Sequence, residues 1–131
     1  MEIPTLLPPD QMPPIVDQAS LEHHWRALMG KLGFGRPRVW VLLIQRSRGL
    51  MVSEVDELPL RPEDDAASGL RHVFGSFDGV EPAFLYCRPG SSALSAADRA
   101  WVDVLVAASD AWPVHVANDV ELRVVAPDDL I

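Results

Sequence analysis

The sequence predicts an α/β domain: a three-layer fold with a mixed β-sheet flanked by helices on both faces. Apolar residues recur at helical spacing in three separate stretches, and short β-branched or aromatic runs lie between them. The middle of the chain therefore reads strand, helix, strand, helix, strand, the order that builds parallel crossovers. At 131 residues, 48% of them hydrophobic and four of them Trp, the chain has the size and the apolar content for one packed core.

Residues 1–16 hold Pro4, Pro8, Pro9, Pro13 and Pro14. Each proline removes a backbone donor and turns its predecessor away from helix, so this stretch is expected to be an extended arm, followed by a single α/β domain over 17–131. Ile3, Leu6, Leu7, Met12, Ile15 and Val16 make the arm too apolar to leave in water, and packing along the domain or across a partner copy is the expected remedy.

Asp17 or Ser20 is placed to cap a first helix, along which Leu21, Trp25, Leu28, Met29 and Leu32 recur until Gly33, Gly35 and Pro37 stop it. His23 and His24 sit side by side on it, about 100° apart around the axis, so they cannot chelate one ion together and are expected at the surface or rim. The run 39–44 lacks polar alternation, as a strand covered on both faces does, and should lie centrally. Residues 46–49 read as a tight turn and 50–54 as the returning strand.

Pro62 suits the first turn of a second helix, Glu63, Asp64 and Asp65 complement its dipole, and Ala66, Leu70, Val73, Phe74 and Phe77 form its apolar face up to about Gly79. A strand follows at 83–87. Ser95 and Asp98 have the spacing of a capping box for a third helix with Ala97, Trp101, Val104, Leu105 and Ala108 toward the core, while Val102 and Val106 suggest burial on a second side. Two strands, 114–117 and 120–125, close the domain, the second alternating Val120, Leu122 and Val124 with Glu121 and Arg123.

The formal net charge is −8, and Lys31 is the sole lysine. The densest basic run, Arg36, Arg38, Arg46 and Arg48, is interrupted by the apolar stretch 39–44, so nucleic acid and anionic membrane surfaces are disfavoured partners. Cys87 is the only cysteine, which excludes an internal disulfide and a thiol framework for zinc and fits a reducing cytoplasm. Met1-Glu2-Ile3-Pro4 lacks the basic-then-apolar layout of a secretory signal, and no apolar run nears the roughly 20 residues that span a bilayer. Abundant Arg and Ala with almost no Lys is the composition of a GC-rich bacterial genome.

The segment with most chemistry is Tyr86-Cys87-Arg88-Pro89, then Gly90-Ser91-Ser92, then Ser95-x-x-Asp98 opening a helix. It resembles the JAB/JAMM metalloprotease fold and its bacterial RadC-type relatives, whose signature is His-x-His-Pro after a strand, a short loop, and Ser-x-x-Asp at the next helix start. Pro89, Ser95 and Asp98 match, with a loop one residue shorter, and the order of elements over about 38–126 is similar to the JAB and cytidine-deaminase order. The resemblance places the two metal-binding histidines on Tyr86 and Arg88. An arginine there adds a fixed positive charge where a dication would sit, so the resemblance implies a degenerate member without its metal; Glu54 is the nearest candidate for the family's upstream glutamate.

Asp98 also has a plain structural role, with Ser95, in capping its helix. His115, where RadC-type relatives also tend to carry a histidine, reads as a partly buried residue satisfied by backbone. Cys87 ends an apolar strand beside Arg88 and reads as an inert small hydrophobe rather than a nucleophile. The expected function is a noncatalytic JAB-like domain that binds another protein, as a homodimer with the arm or the third helix in the interface, and with no metal and no cofactor. The alternative is a small-anion or metabolite site, or a hydrolase, using Arg88, Ser91, Ser92 and His115 at the loop after the strand 83–87. A DNA-associated role by analogy with RadC-type names runs against the acidic balance. The acidic 127–131 segment reads as a solvated end.

Overall fold

The computed structural model describes residues 3–74 and 78–126. After a 3₁₀ turn at Pro9–Gln11 come α1 (Gln18–Met29), β1 (Arg38–Gln45), β2 (Arg48–Val55), α2 (Ala66–Phe74), β3 (Glu81–Cys87), α3 (Ala96–Ala108), β4 (His115–Ala117) and β5 (Leu122–Val124). The strands form one open mixed sheet in the order β2-β1-β3-β4-β5. β1 runs antiparallel to β2 and β3, β3 and β4 are parallel, and β5 returns antiparallel to β4. The parallel pair requires a crossover, which α3 supplies.

The sheet is covered on both faces, as the unalternating strands require. Leu21 and Trp25 of α1 pack with Leu42, Ile44, Ala83 and Leu85 on one side. Trp101, Val102 and Leu105 of α3 pack with Val39, Val41, Phe84 and Val116 on the other, with Leu70 and Phe74 of α2 beside them. β1 and β3 therefore present apolar side chains in both directions, and six consecutive residues of β3, from Pro82 to Cys87, are buried. Among the described residues no helix is long and apolar enough to cross a membrane.

The arm folds back on its own domain. Met12 and Ile15 are buried, the Ile15 N–H donates to the Ser47 carbonyl at 2.7 Å, and Arg48 reaches the carbonyls of Asp10 and Met12. Ile3, Leu6, Leu7 and Val16 stay exposed.

Several boundaries differ from the sequence expectation for identifiable reasons. Asp17 is the cap of α1, in a reciprocal box with Ser20, but the helix stops at Met29 because Gly30 takes a positive φ of 63°, leaving Leu32 beyond it. The β1–β2 turn is only Arg46 and Ser47, and Leu50 is the extra residue of a bulge, since Ile44 pairs with Gly49 and Leu43 with Met51. α2 begins at Ala66, after a turn that includes Asp64 and Asp65, so Pro62 and Glu63 precede it; Phe77 and the 127–131 segment lie outside the described residues. In α3, Val102 belongs to the domain's own core while Val106 faces solvent, so the helix has no second buried side. Val120 lies in the β4–β5 turn, where the Asn118 side chain accepts from the N–H groups of Val120 and Glu121.

Candidate functional site

Side chains alternate along β3, so Phe84 and Tyr86 face α3 while Leu85 and Cys87 face α1. Arg88, the next residue, continues the Tyr86 row just past the strand. At the start of α3, Ser95 caps the helix and Asp98 completes the capping box, which brings its carboxylate back toward the end of β3. Three of the residues singled out in the sequence thus converge.

Their hydrogen bonds close on one another. Asp98 Oδ1 accepts from Tyr86 Oη at 3.1 Å and Arg88 Nε at 3.2 Å, and Oδ2 accepts from Arg88 Nη2 at 2.8 Å, Arg88 Nε at 3.1 Å and the Ser95 N–H at 2.8 Å. The remaining guanidinium hydrogens go to backbone: Nη1 donates to the carbonyls of Pro89 and Ser91, and Nη2 to Ala93. An arginine offers five N–H donors, and here each has an acceptor. The loop 89–93 is therefore wrapped around the arginine that precedes it.

Both members of the ion pair are well covered, with 14% of the Arg88 side chain and 4% of the Asp98 side chain exposed. Burial alone would raise the Asp98 pKa, but the Arg88 hydrogen bonds and charge, the Ser95 amide and the Tyr86 phenol together hold it below the usual carboxylate value. Burial, followed by the neighbouring Asp98 charge, pushes the Tyr86 phenol up, so it remains a donor throughout the physiological range.

A catalytic zinc needs about three nitrogen, sulfur or carboxylate ligands plus an open position. The residues here do not fit it. The phenol keeps its proton, the guanidinium brings positive charge, and the Asp98 lone pairs are already engaged. Glu54 does not complete the set, because it stands opposite Trp40 on the α1 side of the sheet and pairs with Arg38 at 2.9 Å. Among the described residues no group of three or more His, Cys, Asp or Glu side chains is placed to hold a metal ion.

The anion site anticipated from Arg88, Ser91, Ser92 and His115 does not assemble either. Arg88 has no donor left over, Ser91 is exposed and Ser92 half-buried. His115 lies across from Leu85 and therefore faces α1, on the opposite side of the sheet from Tyr86 and Asp98. It is fully buried, where partial burial was expected, with the Pro113 backbone and the Glu22 carboxylate facing its ring. Glu22 Oε2 is 3.8 Å from Nε2 and itself pairs with Arg26 at 2.7 Å. Burial lowers the His115 pKa against the opposing pull of Glu22, so the ring is neutral at pH 7.

Cys87 is buried in the core, as its place in an apolar strand suggested. Its thiol is fully buried, points to the Arg38 carbonyl at 3.5 Å, and is pushed up to about 12, chiefly by burial. His24 departs from the rim expected for it: it is buried, and Nε2–H donates to the Pro13 carbonyl at 2.8 Å, tying α1 to the arm. Sequence reading missed Asp119. Its carboxylate accepts from the N–H groups of Phe34 and Gly90, and its own N–H donates to the Gly90 carbonyl, so one short side chain clamps the loop after β3 to the segment before β1. The Asn118-Asp119 pair marks a turn in sequence, but nothing local to it indicates a partner 85 residues away.

Comparison with protein-family models, curated proteins and solved structures found no match.

Proposed function

We propose that this chain is a noncatalytic, JAB-like protein-interaction domain in which an internal cation, the Arg88 guanidinium, stands in the place of the metal that the resemblance would assign to Asp98. The reading rests on one observation, the complete engagement of the Asp98 carboxylate by Arg88, Tyr86 and the Ser95 amide. A guanidinium supplies the positive charge that a buried carboxylate needs but offers no open coordination position and no activated water. What the centre retains is structural: it fastens β3, the loop after it and α3 together. An interaction role follows from the exposed apolar side chains of the arm and β2, and self-association belongs to it. A reducing, cytoplasmic setting agrees with a single buried thiol.

Metal analysis tests this. Protein purified without chelator should carry far less than one equivalent of zinc, and added zinc should leave its melting temperature unchanged. Tyr86→His/Arg88→His should bind zinc and regain stability with it, because two imidazoles then flank a freed carboxylate. A stoichiometric, tightly held transition metal in the unaltered protein overturns the reading whatever the double variant does.

A further inference from the structure

We propose that the cleft between α2 and the β1–β2 end of the sheet binds a small organic cation, an ammonium group carried on a hydrocarbon ring or chain. The Asp98 carboxylate is not part of this cleft, and the site goes beyond the interaction reading above.

α2 is seated on the core only in part. Leu70 and Phe74 pack against the core, but no described residue of the helix is buried. Ala66, Gly69 and Val73 form the neighbouring stripe at helical spacing, and this stripe does not close onto the sheet. Across from it stand Val39 and Val55, a cross-strand pair of β1 and β2, and the cavity between them, of about 340 Å³, has no polar side chain in its lining. A side chain has room there: Gly69 lines the cavity, and a Cβ added to it meets nothing within 4 Å. Glycine is a poor helix residue, so helix propensity does not account for its presence.

The mouth has the opposite character. A second cleft, of about 220 Å³, adjoins the first, and Val55, Leu58, Ala66 and Trp101 line both. Asp56, Glu57, Glu63 and Asp65 line the second alone. Asp56 pairs with Arg36 at 3.0 Å, whereas Glu57, Glu63 and Asp65 have no cationic partner among the described residues. The dipole of α2 accounts for acidic residues at the helix start but not for Glu57, two residues past the end of β2. A helix N-terminus carries roughly half a positive charge, against three carboxylates without a counterion, so the mouth is net negative.

Trp101 stands where the two clefts meet. Its indole N–H donates to the Pro59 carbonyl at 3.1 Å, so what it offers a ligand is its ring. Together these parts select the occupant. Hydrocarbon gains by leaving water for the cavity, while an ammonium remains at the mouth beside the carboxylates and the indole. An anion of the same skeleton is repelled there. The cavity lies at the small end of ligand pockets, which span roughly 300–1,000 Å³, and admits a ring with a short chain rather than a segment of folded protein.

Phenylbutylammonium is the probe, titrated into the full chain and followed by calorimetry and by amide nuclear magnetic resonance. It should bind at one site per chain, with Gly69 and Trp101 among the most shifted resonances. Phenylbutanoate, the same skeleton with the charge reversed, should bind at least about tenfold more weakly, and methylammonium not measurably. Gly69→Leu fills the cavity at a position with room for a side chain. It should cut affinity for the probe by about tenfold or more while leaving the melting temperature equal or higher. Glu57→Gln/Glu63→Gln leaves the cavity open and should lower affinity for the cation alone, bringing the two phenylbutyl compounds together; it decides the matter if the leucine disturbs α2. Asp110→Asn, beyond the far end of α3, should change neither affinity. Equal affinity of the unaltered chain for the two phenylbutyl compounds overturns the proposal. So does the absence of saturable binding, a set of shifts centred on another cleft, or an affinity indifferent to both Gly69→Leu and the double substitution.

Discussion

Replacing Arg88 with Ala removes donors from three places at once: the Asp98 carboxylate, the carbonyls of Pro89 and Ser91, and that of Ala93. A buried carboxylate left without its cation costs about 3–5 kcal/mol, so Arg88→Ala should be among the most destabilising single changes outside the apolar core. Arg88→Lys should recover only part of that, because an ammonium cannot hold both carboxylate oxygens and three carbonyls in one plane; urea unfolding of the pair measures both. Asp98 carries the pH signature of the centre. Its pKa is held down in the fold, so its contribution is present above the unfolded value of about 3.9 and is lost as pH falls through the lower folded value. Asp98→Asn should be less stable at neutral pH and flatter in acid, and a parallel acid slope in the two proteins would remove Asp98 from the account. Much of this centre was legible in the sequence, since Ser95-x-x-Asp98 marks a capping box and Tyr86 and Arg88 share a face by alternation. The guanidinium's other acceptors were not, because they are backbone carbonyls, which every sequence has. His115 was misplaced for a related reason: alternation says which residues share a face within β4, while only the register with β3 says which face that is.

At the scale of elements, the ends of helices and strands depend on backbone geometry more than on side-chain pattern. The β1–β2 hairpin shows this most directly. Its two turn residues, Arg46 and Ser47, have φ of 50° and 64°, the left-handed conformation that a two-residue hairpin turn demands and that Asn-Gly meets with least strain. Arg46→Asn/Ser47→Gly should therefore stabilise the protein by about 1 kcal/mol with unchanged far-ultraviolet circular dichroism; the Ser47 carbonyl that receives the Ile15 N–H is backbone and survives the change. A loss of stability would mean that the Arg46 or Ser47 side chain has a role that the backbone geometry conceals. The helices were readable from their 3.6-residue period, and β1 and β3 from short unbroken apolar runs. The Asp64-Asp65 turn was not, since acidic residues just before an apolar helical face serve equally as its first turn or as the approach to it. The bulge at Leu50 was hidden in the sequence: Gly49 reads as the end of the turn and Leu50 as the first strand residue, and the extra residue becomes visible only when Ile44 and Leu43 are matched with their partners.

At the scale of the molecule, the two faces of the sheet answer to pH through different groups. The α3 face holds Asp98, whose pKa lies below the usual carboxylate value. The α1 face holds two buried histidines, His24 against the arm and His115 beneath α1. In each the folded pKa is lowered, first by burial; Pro13 opposes the shift at His24, where His23 adds to it, and Glu22 and the Pro113 backbone oppose it at His115, where Arg26 adds to it. A histidine whose folded value lies below its unfolded value of about 6.5 favours the fold in its neutral form. The unfolded chain binds more protons than the folded one between those two values, so stability is full above about pH 6.5 and declines as pH falls toward the folded pKa. The protein should thus lose stability between neutral and mildly acidic pH, well before Asp98 is involved, and the loss should be greatest where α1 meets β4 and the arm. His115→Leu removes one of the two titrations, and His24→Gln the other while keeping a donor for Pro13. Each variant should shrink the slope of unfolding free energy against pH in that window, the two effects adding because the groups sit at different contacts of α1. The slope, rather than absolute stability, is the decisive measurement: either substitution can change packing, but only a lost proton equilibrium flattens the curve. If both variants keep the full slope, the buried imidazoles are not what couples this fold to pH.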